Sequence, residues 1–380
     1  MDPLPGRHPL VRFRSLYLLI VGAAIALSLG WFAVQHAPRT VAIGFAAVSG
    51  NSEDIAAFHA VELAVAKLNT EAEGTGLHFE ARQPPEFRND PVYSASYLRS
   101  APSVAGVVGP IWSQDMLDAT PEYGERTGVS SAPVVAIAPI ATNRDLSGIS
   151  KWVFRLCPTD DAEATVAAHF AFDSLGSRRP VILFVNDAYG RDWSRAFSLN
   201  MQQAGGVVLA RQPFPANHVD WPLYAEYVGN LHADLIVMPT VLGGMQRFIS
   251  TLRNLGVSTP ILAGDAAAGI RVVAQDLPAF HYVALFSRDR PANAVGTWFI
   301  SEYERANPGK RAWQVPVFAF DAALTIGRAV IAVGPRRDRV RVFLEQLGGE
   351  RPAIVGATGP IAFDSLHDGR FAGMRLEGNR

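Results

Sequence analysis

The segment PVILFVNDAYGRDWSRAFSLNMQQ, residues 180–203, decides the fold class. Its run VILFV is bulky and apolar on both sides, as strands are when helices cover both faces of their sheet. A short polar turn follows, and Arg191–Gln203 then has the pattern of a helix. The runs VVAIA and LIVM, each next to helical stretches, repeat the arrangement elsewhere in the chain. Strands that alternate with helices of ten or more residues predict βαβ units and parallel sheets.

This alternation starts near Thr40 and divides into two similar series. Residues 40–157 and 158–285 each carry strand–helix units, and no long Gly/Ser-rich or Pro-rich linker interrupts them. A chain of 380 residues is comfortably long enough for two domains. The sequence therefore predicts an α/β protein with two doubly wound parallel-sheet lobes.

The N-terminal segment is apolar enough to enter a membrane. Three arginines within residues 1–14 precede the run LYLLIVGAAIALSLGWFAV at 16–34, which is about as long as a bilayer-spanning helix. The basic residues predict that 1–14 is cytoplasmic, that 15–36 is a transmembrane anchor or signal segment, and that the rest is extracytoplasmic. A cleaved signal peptide and a retained anchor both stay open. The anchor is favoured because QHA at 35–37 is a poor small-x-small cleavage site.

Composition and motifs argue against several function classes. The formal net charge of −1 implies no nucleic-acid partner. The single cysteine, Cys157, can form neither an internal disulfide nor a four-cysteine metal site. The sequence lacks the glycine-rich phosphate-binding motifs and the G-x-S-x-G nucleophile elbow, and its histidines are scattered without metal-ligand spacing. We therefore predict no cofactor, no metal and no catalysis, and an enzyme on a doubly wound scaffold is only the third alternative.

Polar residues follow several predicted strands, at the edge where open α/β sheets bind ligands. Ser113 and Thr142 each bring a hydroxyl group near a helix start, where they can bind a carboxylate or simply cap the helix. Asp265 follows the strand PILAG and can pair with an ammonium group or cap the next helix. Tyr189 can cover a ligand or pack as a turn aromatic. The residues alone leave these alternatives open.

At these positions the chain resembles the type I periplasmic binding proteins, specifically the Leu/Ile/Val-binding branch that serves ABC importers. The resemblance covers about Thr40 to Leu376. Its specificity comes from the order and spacing of short motifs. These motifs are NDP (89–91), VVGPIWS (107–113), APIATNRDL (138–146), WVFRLCPTDD (152–161), NDAYG (186–190), ADLIVMPT (233–240), PILAGDA (260–266) and TGPIAFD (358–364).

The resemblance implies two lobes that are joined by three hinge crossings and hold the ligand between them. The crossings would lie near 157–160, 285–288 and 355–359. Lobe 1 would then combine 39–157 with 286–355, and lobe 2 would combine 158–285 with 356–380.

The resemblance also implies an amino-acid clamp. Ser113 and Thr142 would bind the α-carboxylate of the ligand. The backbone carbonyl of Ile140 and the side chain of Asp265 would bind the α-ammonium group, and Tyr189 would close over the ligand from lobe 2.

Three positions depart from the family pattern. Asp265 is one methylene shorter than the glutamate usual in that branch. Val241 stands where a second lobe 2 aromatic is expected, and Trp112 is an unusual neighbour for Ser113. Trp112 and Val241 are therefore candidate ligand-binding residues, and they would make the preference for the ligand side chain differ from that of the family.

The residues and the resemblance together predict an extracytoplasmic solute-binding protein that captures a small amino-acid-like ligand for an ABC importer. Its partners would be the ligand, an ABC permease and the membrane. A membrane-tethered sensor that signals ligand occupancy to a partner protein is the alternative, and the anchor favours it.

Overall fold

The computed structural model describes residues 38–240, 245–268 and 279–378, and within these ranges two parallel sheets form the framework. The strands of the first sheet are β1 (Arg39–Phe45), β2 (Leu77–Arg82), β3 (Val104–Val108), β4 (Val135–Ala138) and β5 (Val153–Arg155). They are all parallel and lie in the order β2-β1-β3-β4-β5.

The second sheet comes mainly from the later half of the described chain. Its parallel strands are β6 (Pro180–Val185), β7 (Ala210–Phe214), β8 (Leu235–Met238), β9 (Ile261–Ala263) and β10 (Phe280–Ala284). A separate antiparallel hairpin follows, made of β11 (Ile354–Gly356) and β12 (Gly359–Ile361). The last strand, β13 (Arg375–Gly378), pairs antiparallel with β10, which gives the order β13-β10-β9-β8-β6-β7.

Helices connect the strands. They are α1 (Ser52–Glu71), α2 (Pro91–Ser100), α3 (Ser113–Tyr123), α4 (Asp160–His169), α5 (Ala188–Gln203), α6 (Trp221–Asn230), α7 (Met245–Asn254), α8 (Ala294–Ala306), α9 (Gln314–Val333) and α10 (Arg337–Glu345). Strands β3, β4, β6 and β8 are buried along their whole length, because helices cover both faces of each sheet. The predicted α/β class with two parallel sheets is confirmed.

Side-chain caps fix where the helices begin. The side chain of Asn51 accepts a hydrogen bond from the backbone N–H of Asp54 at 2.9 Å, so α1 starts at Ser52. Asp187 accepts from the N–H of Gly190 at 2.8 Å and starts α5 at Ala188. The predicted start of this helix at Arg191 is therefore wrong, and Tyr189 lies in the first turn of the helix.

Helix α9 is a core element. Among the described residues it alone is long and apolar enough to cross a membrane, yet 83% of its most apolar stretch is buried inside the protein. It packs against α1 and contributes Phe318 and Phe320 to the core. The predicted membrane segment at 15–36 lies outside the described residues.

The C-terminal segment binds to the first sheet before it reaches the second. Asp321 of α9 accepts hydrogen bonds from the N–H groups of Ala357 and Thr358 at 2.6 and 2.8 Å. Arg155 of β5 donates to Asp368 at 2.6 Å, whereas pairing with the second sheet begins only at β13. The lobe boundaries and the three hinge crossings stay a prediction.

Candidate functional site

The carboxyl ends of strands from both sheets surround a single cavity of about 370 Å³. Loops that follow β1, β3 and β4 form one side, and loops that follow β6 and β9 form the other. The lining residues are Asn51, Glu53, Trp112, Ser113, Gln114, Asp115, Ile140, Thr142, Asp187, Tyr189, Asp265 and Ala266. The structure thus brings together every ligand-binding residue predicted from the sequence except Val241, which lies outside the described residues.

Ser113 is the first residue of α3 and is 4% exposed. The N-cap position belongs to Trp112, which makes no side-chain cap hydrogen bond. The hydroxyl of Ser113 instead accepts the backbone N–H of Asn143 at 3.2 Å, across to the loop after β4. That bond holds the two ligand-facing loops of the first sheet together and leaves the hydroxyl proton of Ser113 free to donate.

The loop after β4 presents Ile140 and Thr142 to the cavity. The carbonyl of Ile140 accepts no hydrogen bond from the described residues, so it remains available as an acceptor. Thr142 is buried, and its carbonyl accepts from the N–H of Asp160 at 2.8 Å and from Arg155 at 3.2 Å. Asn143 caps the following 3-10 turn, so Thr142 does not serve as a cap.

Asp265 faces the cavity from the second sheet and is only 2% exposed. Gly264 occupies the N-cap position of the short 3-10 helix that follows, without a side-chain cap. Gln314 of α9 donates to Oδ2 of Asp265 at 2.9 Å, whereas Oδ1 has no hydrogen-bond partner of ordinary geometry among the described residues, although the side chains of Tyr189 and Glu163 lie beside the carboxyl group. Burial raises the pKa of Asp265 to about 6, against the opposing hydrogen bonds from Tyr189, Glu163 and Gln314.

Tyr189 covers the same end of the cavity. Its ring is 8% exposed, and its hydroxyl finds no hydrogen-bond partner of ordinary geometry in the described part of the chain. Burial raises the pKa of this hydroxyl well above its ordinary value, with a further contribution from the charge of Asp265. A β-carbon at position 264 would collide with the hydroxyl, so the ring fits only because Gly264 has none.

Two acids of α4, Asp160 and Glu163, lie behind Asp265 and were not predicted as site residues. Both are fully buried, and none of their carboxyl oxygens has a hydrogen-bond partner of ordinary geometry among the described residues. Burial raises the pKa of each acid well above its ordinary value, and the negative charge of Asp265 adds to the effect. The acidic run PTDDAE could have signalled them, but a charged helix start usually faces solvent.

The two sides of the cavity are joined by direct hydrogen bonds. The amide group of Asn143 donates to the carbonyl of Ala188 at 2.8 Å, and the N–H of Arg144 donates to Asp192 at 3.0 Å. These bonds connect the loop after β4 with the start of α5. The cavity wall from the first sheet is therefore in direct contact with the wall from the second sheet.

Within residues 38–240, 245–268 and 279–378, no group of three His, Cys, Asp or Glu side chains is arranged to hold a metal ion. The polar groups of the cavity are hydroxyls, a carbonyl, carboxyls and the side-chain amides of Asn51 and Gln114. Such a donor set can bind a small polar molecule that carries both an ammonium and a carboxylate group.

Comparison with known proteins supports this interpretation of the fold. The family model described as "Periplasmic binding protein" matches residues 44–374. A curated Leu/Ile/Val-binding protein of Rhizobium johnstonii is 27% identical over 159 residues, which is 42% of this chain and 42% of that protein. The alignment thus spans less than half of the curated relative.

Solved structures share the fold over nearly the whole chain. A leucine-binding protein of Thermotoga maritima has a TM-score of 0.76 at 19% identity and covers 89% of this chain and 97% of its own. A branched-chain amino acid transporter substrate-binding protein of Streptococcus pneumoniae, in complex with isoleucine, has a TM-score of 0.72 at 18% identity and covers 87% and 93%.

An ABC transporter solute-binding protein of R. palustris, in complex with benzoate, is also similar. Its TM-score is 0.72 at 15% identity, and the match covers 89% of this chain and 92% of that protein. Identities this low establish the shared fold and not the ligand. The family match extends over most of the sequence, and this chain belongs to the periplasmic binding protein family.

Proposed function

We propose that this protein is an extracytoplasmic solute-binding protein that captures a small amino-acid-like ligand for an ABC importer. One observation carries the proposal. Hydroxyls from the first sheet, and a carboxyl and an aromatic ring from the second, line the same cavity at the carboxyl ends of the strands. This edge is where open α/β sheets bind their ligands.

The chemistry of the cavity suits a zwitterion. The hydroxyls of Ser113 and Thr142 would donate to the ligand carboxylate near the start of α3, where the helix dipole favours negative charge. The ligand ammonium would donate to the carbonyl of Ile140 and to Asp265, whose Oδ1 has no partner among the described residues. Charge-assisted hydrogen bonds of this kind are strong when water is excluded.

The mechanism requires motion and no covalent chemistry. Opening about the three predicted hinge crossings would separate the hydrogen-bonded walls of the cavity, and the ligand would bring them together again. The closed surface would then be recognised by an ABC permease. The apolar run at 16–34 supports retention at the outer face of the cytoplasmic membrane by an N-terminal anchor.

Calorimetry on the full-length chain in detergent, with a panel of L-amino acids, tests the proposal. We expect Asp265→Ala or Thr142→Val to weaken binding by about 2–5 kcal/mol, since each leaves a ligand group without its partner. Thr297→Val on α8 is the matched control, because Thr297 is exposed and outside the cavity lining. Unchanged affinity in both site variants, or no binding of any amino acid, would refute the proposed clamp.

A further inference from the structure

The cavity carries a surplus of acidic groups. Four carboxyl side chains, those of Glu53, Asp115, Asp187 and Asp265, lie among its described lining residues, whereas no lysine, arginine or histidine does. None of the four forms an ion pair within the described part of the chain. The lining is therefore far more negative than the whole protein, whose formal net charge is only −1.

Helix geometry strengthens this imbalance. Glu53 and Asp115 lie in the first turns of α1 and α3, and Asp187 is the N-cap of α5. The positive end of a helix stabilises an acid, which explains why each acid is tolerated. The same acids offset part of the positive partial charge at these helix ends, so the helix ends alone do not make the cavity attractive to anions.

Unpartnered buried groups show independently that the cavity is built for a ligand. Oδ1 of Asp265 and the hydroxyl of Tyr189 are more than nine-tenths buried, lie on the cavity wall and have no hydrogen-bond partner of ordinary geometry among the described residues. Leaving such buried groups without well-placed partners is unfavourable, and a ligand in the cavity would supply them.

The charges of a simple zwitterion do not satisfy this cavity. If its carboxylate binds Ser113 and Thr142 and its ammonium binds Asp265, then Glu53 and Asp115 gain no counter-charge. Asp187 then has only its cap hydrogen bond and the charge of Arg191. Desolvation already raises the pKa of Asp115 to about 6, with help from the charges of Asp54, Asp118 and Asp187. An apolar ligand side chain would remove still more water from these acids, and burying unpaired charge is unfavourable.

From the placement of these acids we infer that the ligand is an amino acid whose side chain carries a second cationic group, an ammonium or a guanidinium. The inference rests on the proposed function and narrows its ligand class. The second cation would lie against Glu53, Asp115 and Asp187, and the ring of Trp112 on the same wall adds an aromatic surface that attracts cations.

Calorimetry on the full-length chain tests this with L-lysine and L-norleucine, which differ mainly by the terminal ammonium group. We expect lysine to bind about tenfold more tightly or better, an advantage of about 1.4 kcal/mol. L-arginine should also bind more tightly than L-leucine. Norleucine that binds as tightly as lysine would overturn the inference and leave the proposed function intact, whereas failure of all four ligands to bind would overturn both.

Substitutions of the cavity acids test which residues cause the preference for lysine over norleucine. We expect Glu53→Gln and Asp115→Asn each to weaken lysine binding about threefold or more, since partly exposed charge pairs contribute modestly, and to leave norleucine within about twofold. Glu62→Gln is the matched control, because it removes the same charge from an exposed position of α1 outside the cavity. Equal losses for both ligands, or an equal effect of the control, would overturn the assignment of the second cation to these acids.

Discussion

Two buried charged regions of this protein differ sharply in how their charges are satisfied. Arg155 in β5 is 1% exposed and donates from its two terminal nitrogens to two carbonyls, one hydroxyl and the carboxylate of Asp368, whereas its Nε has no partner among the described residues. Asp160, Glu163 and Asp265 are equally buried but accept one ordinary side-chain hydrogen bond in total among the described residues, from Gln314. The first region stabilises the fold, and the second reduces stability at the place where a ligand is expected.

Loss of Arg155 should give the largest effect on stability. Arg155→Met removes the charge partner of the Asp368 carboxylate and one of the donors to the carbonyls of Thr142 and Asn143, and we expect it to lower the free energy of unfolding by about 3–5 kcal/mol. Urea unfolding followed by circular dichroism measures the change.

The control is Arg88→Met, which removes an exposed arginine that pairs with exposed Glu86 and lies over the ring of Tyr93, and which should cost about 0.5 kcal/mol or less. If Arg155→Met lowered the free energy of unfolding by less than about 1 kcal/mol, the hydrogen bonds of Arg155 would not stabilise the fold, which would contradict the comparison with the buried acids.

The acidic region should show itself in the pH dependence of stability. Asp265 has an ordinary pKa of 3.8 that is raised to about 6 in the folded protein. Over this interval the folded state therefore holds a proton that the unfolded state releases, so stability falls as the pH rises from about 4 through 6. Asp265→Asn removes this loss and should become more stable than the natural protein by on the order of 2–3 kcal/mol at pH 7.

Urea unfolding of both chains from pH 4 to pH 7 gives this difference directly. Asp265 is surrounded by Glu163, Asp160, Tyr189 and Gln314, which are present in both chains, so the difference between the chains reports the titration of Asp265 among these groups. A stability difference that stays constant with pH would contradict the assignment of a raised pKa to this carboxyl.

The last prediction concerns Glu163. Glu163→Gln keeps the shape of the side chain, mimics its protonated form and supplies an amide donor near Asp265. Burial raises the pKa of Glu163 well above its ordinary value, so the folded state keeps a proton that the unfolded state releases as the pH rises. We therefore expect Glu163→Gln to be more stable than the natural protein at pH 8, seen as a higher melting temperature.

Glu80→Gln at an exposed position of β2 is the control for Glu163→Gln and should change little. If Glu163→Gln were less stable than the natural protein, the carboxylate of Glu163 would have a stabilising partner. The buried acids would then no longer differ from Arg155 in how their charges are satisfied.

Much of the framework could be predicted from the sequence because buried parallel strands leave a strong signal. The runs VAGVV, VILFV and LIVM are apolar on both sides, and all three are central strands. Element ends are less predictable: the run VVLARQ, residues 207–212, also has the composition of a strand, but β7 begins only at Ala210 and ends at Phe214. At an exposed sheet edge neither side chain periodicity nor burial fixes the ends.

The cavity wall was partly predictable for a different reason. Ser113, Thr142, Tyr189 and Asp265 follow strands directly, and the carboxyl ends of parallel strands lie at one edge of a sheet. Glu163 was missed because it lies on a helix, one turn into α4, where sequence alone suggests a solvated face. Only packing against the second sheet shows that this face is inside.

Because Gly264 has no β-carbon, the residues at positions 264 and 189 constrain each other in evolution. Any larger residue at 264 requires the hydroxyl of Tyr189 to move or vanish, so neither position can be exchanged freely without regard to the other. A change of ligand specificity that reshapes this wall would therefore have to alter both residues. Relatives with a residue larger than glycine at position 264 should carry a side chain shorter than tyrosine at position 189.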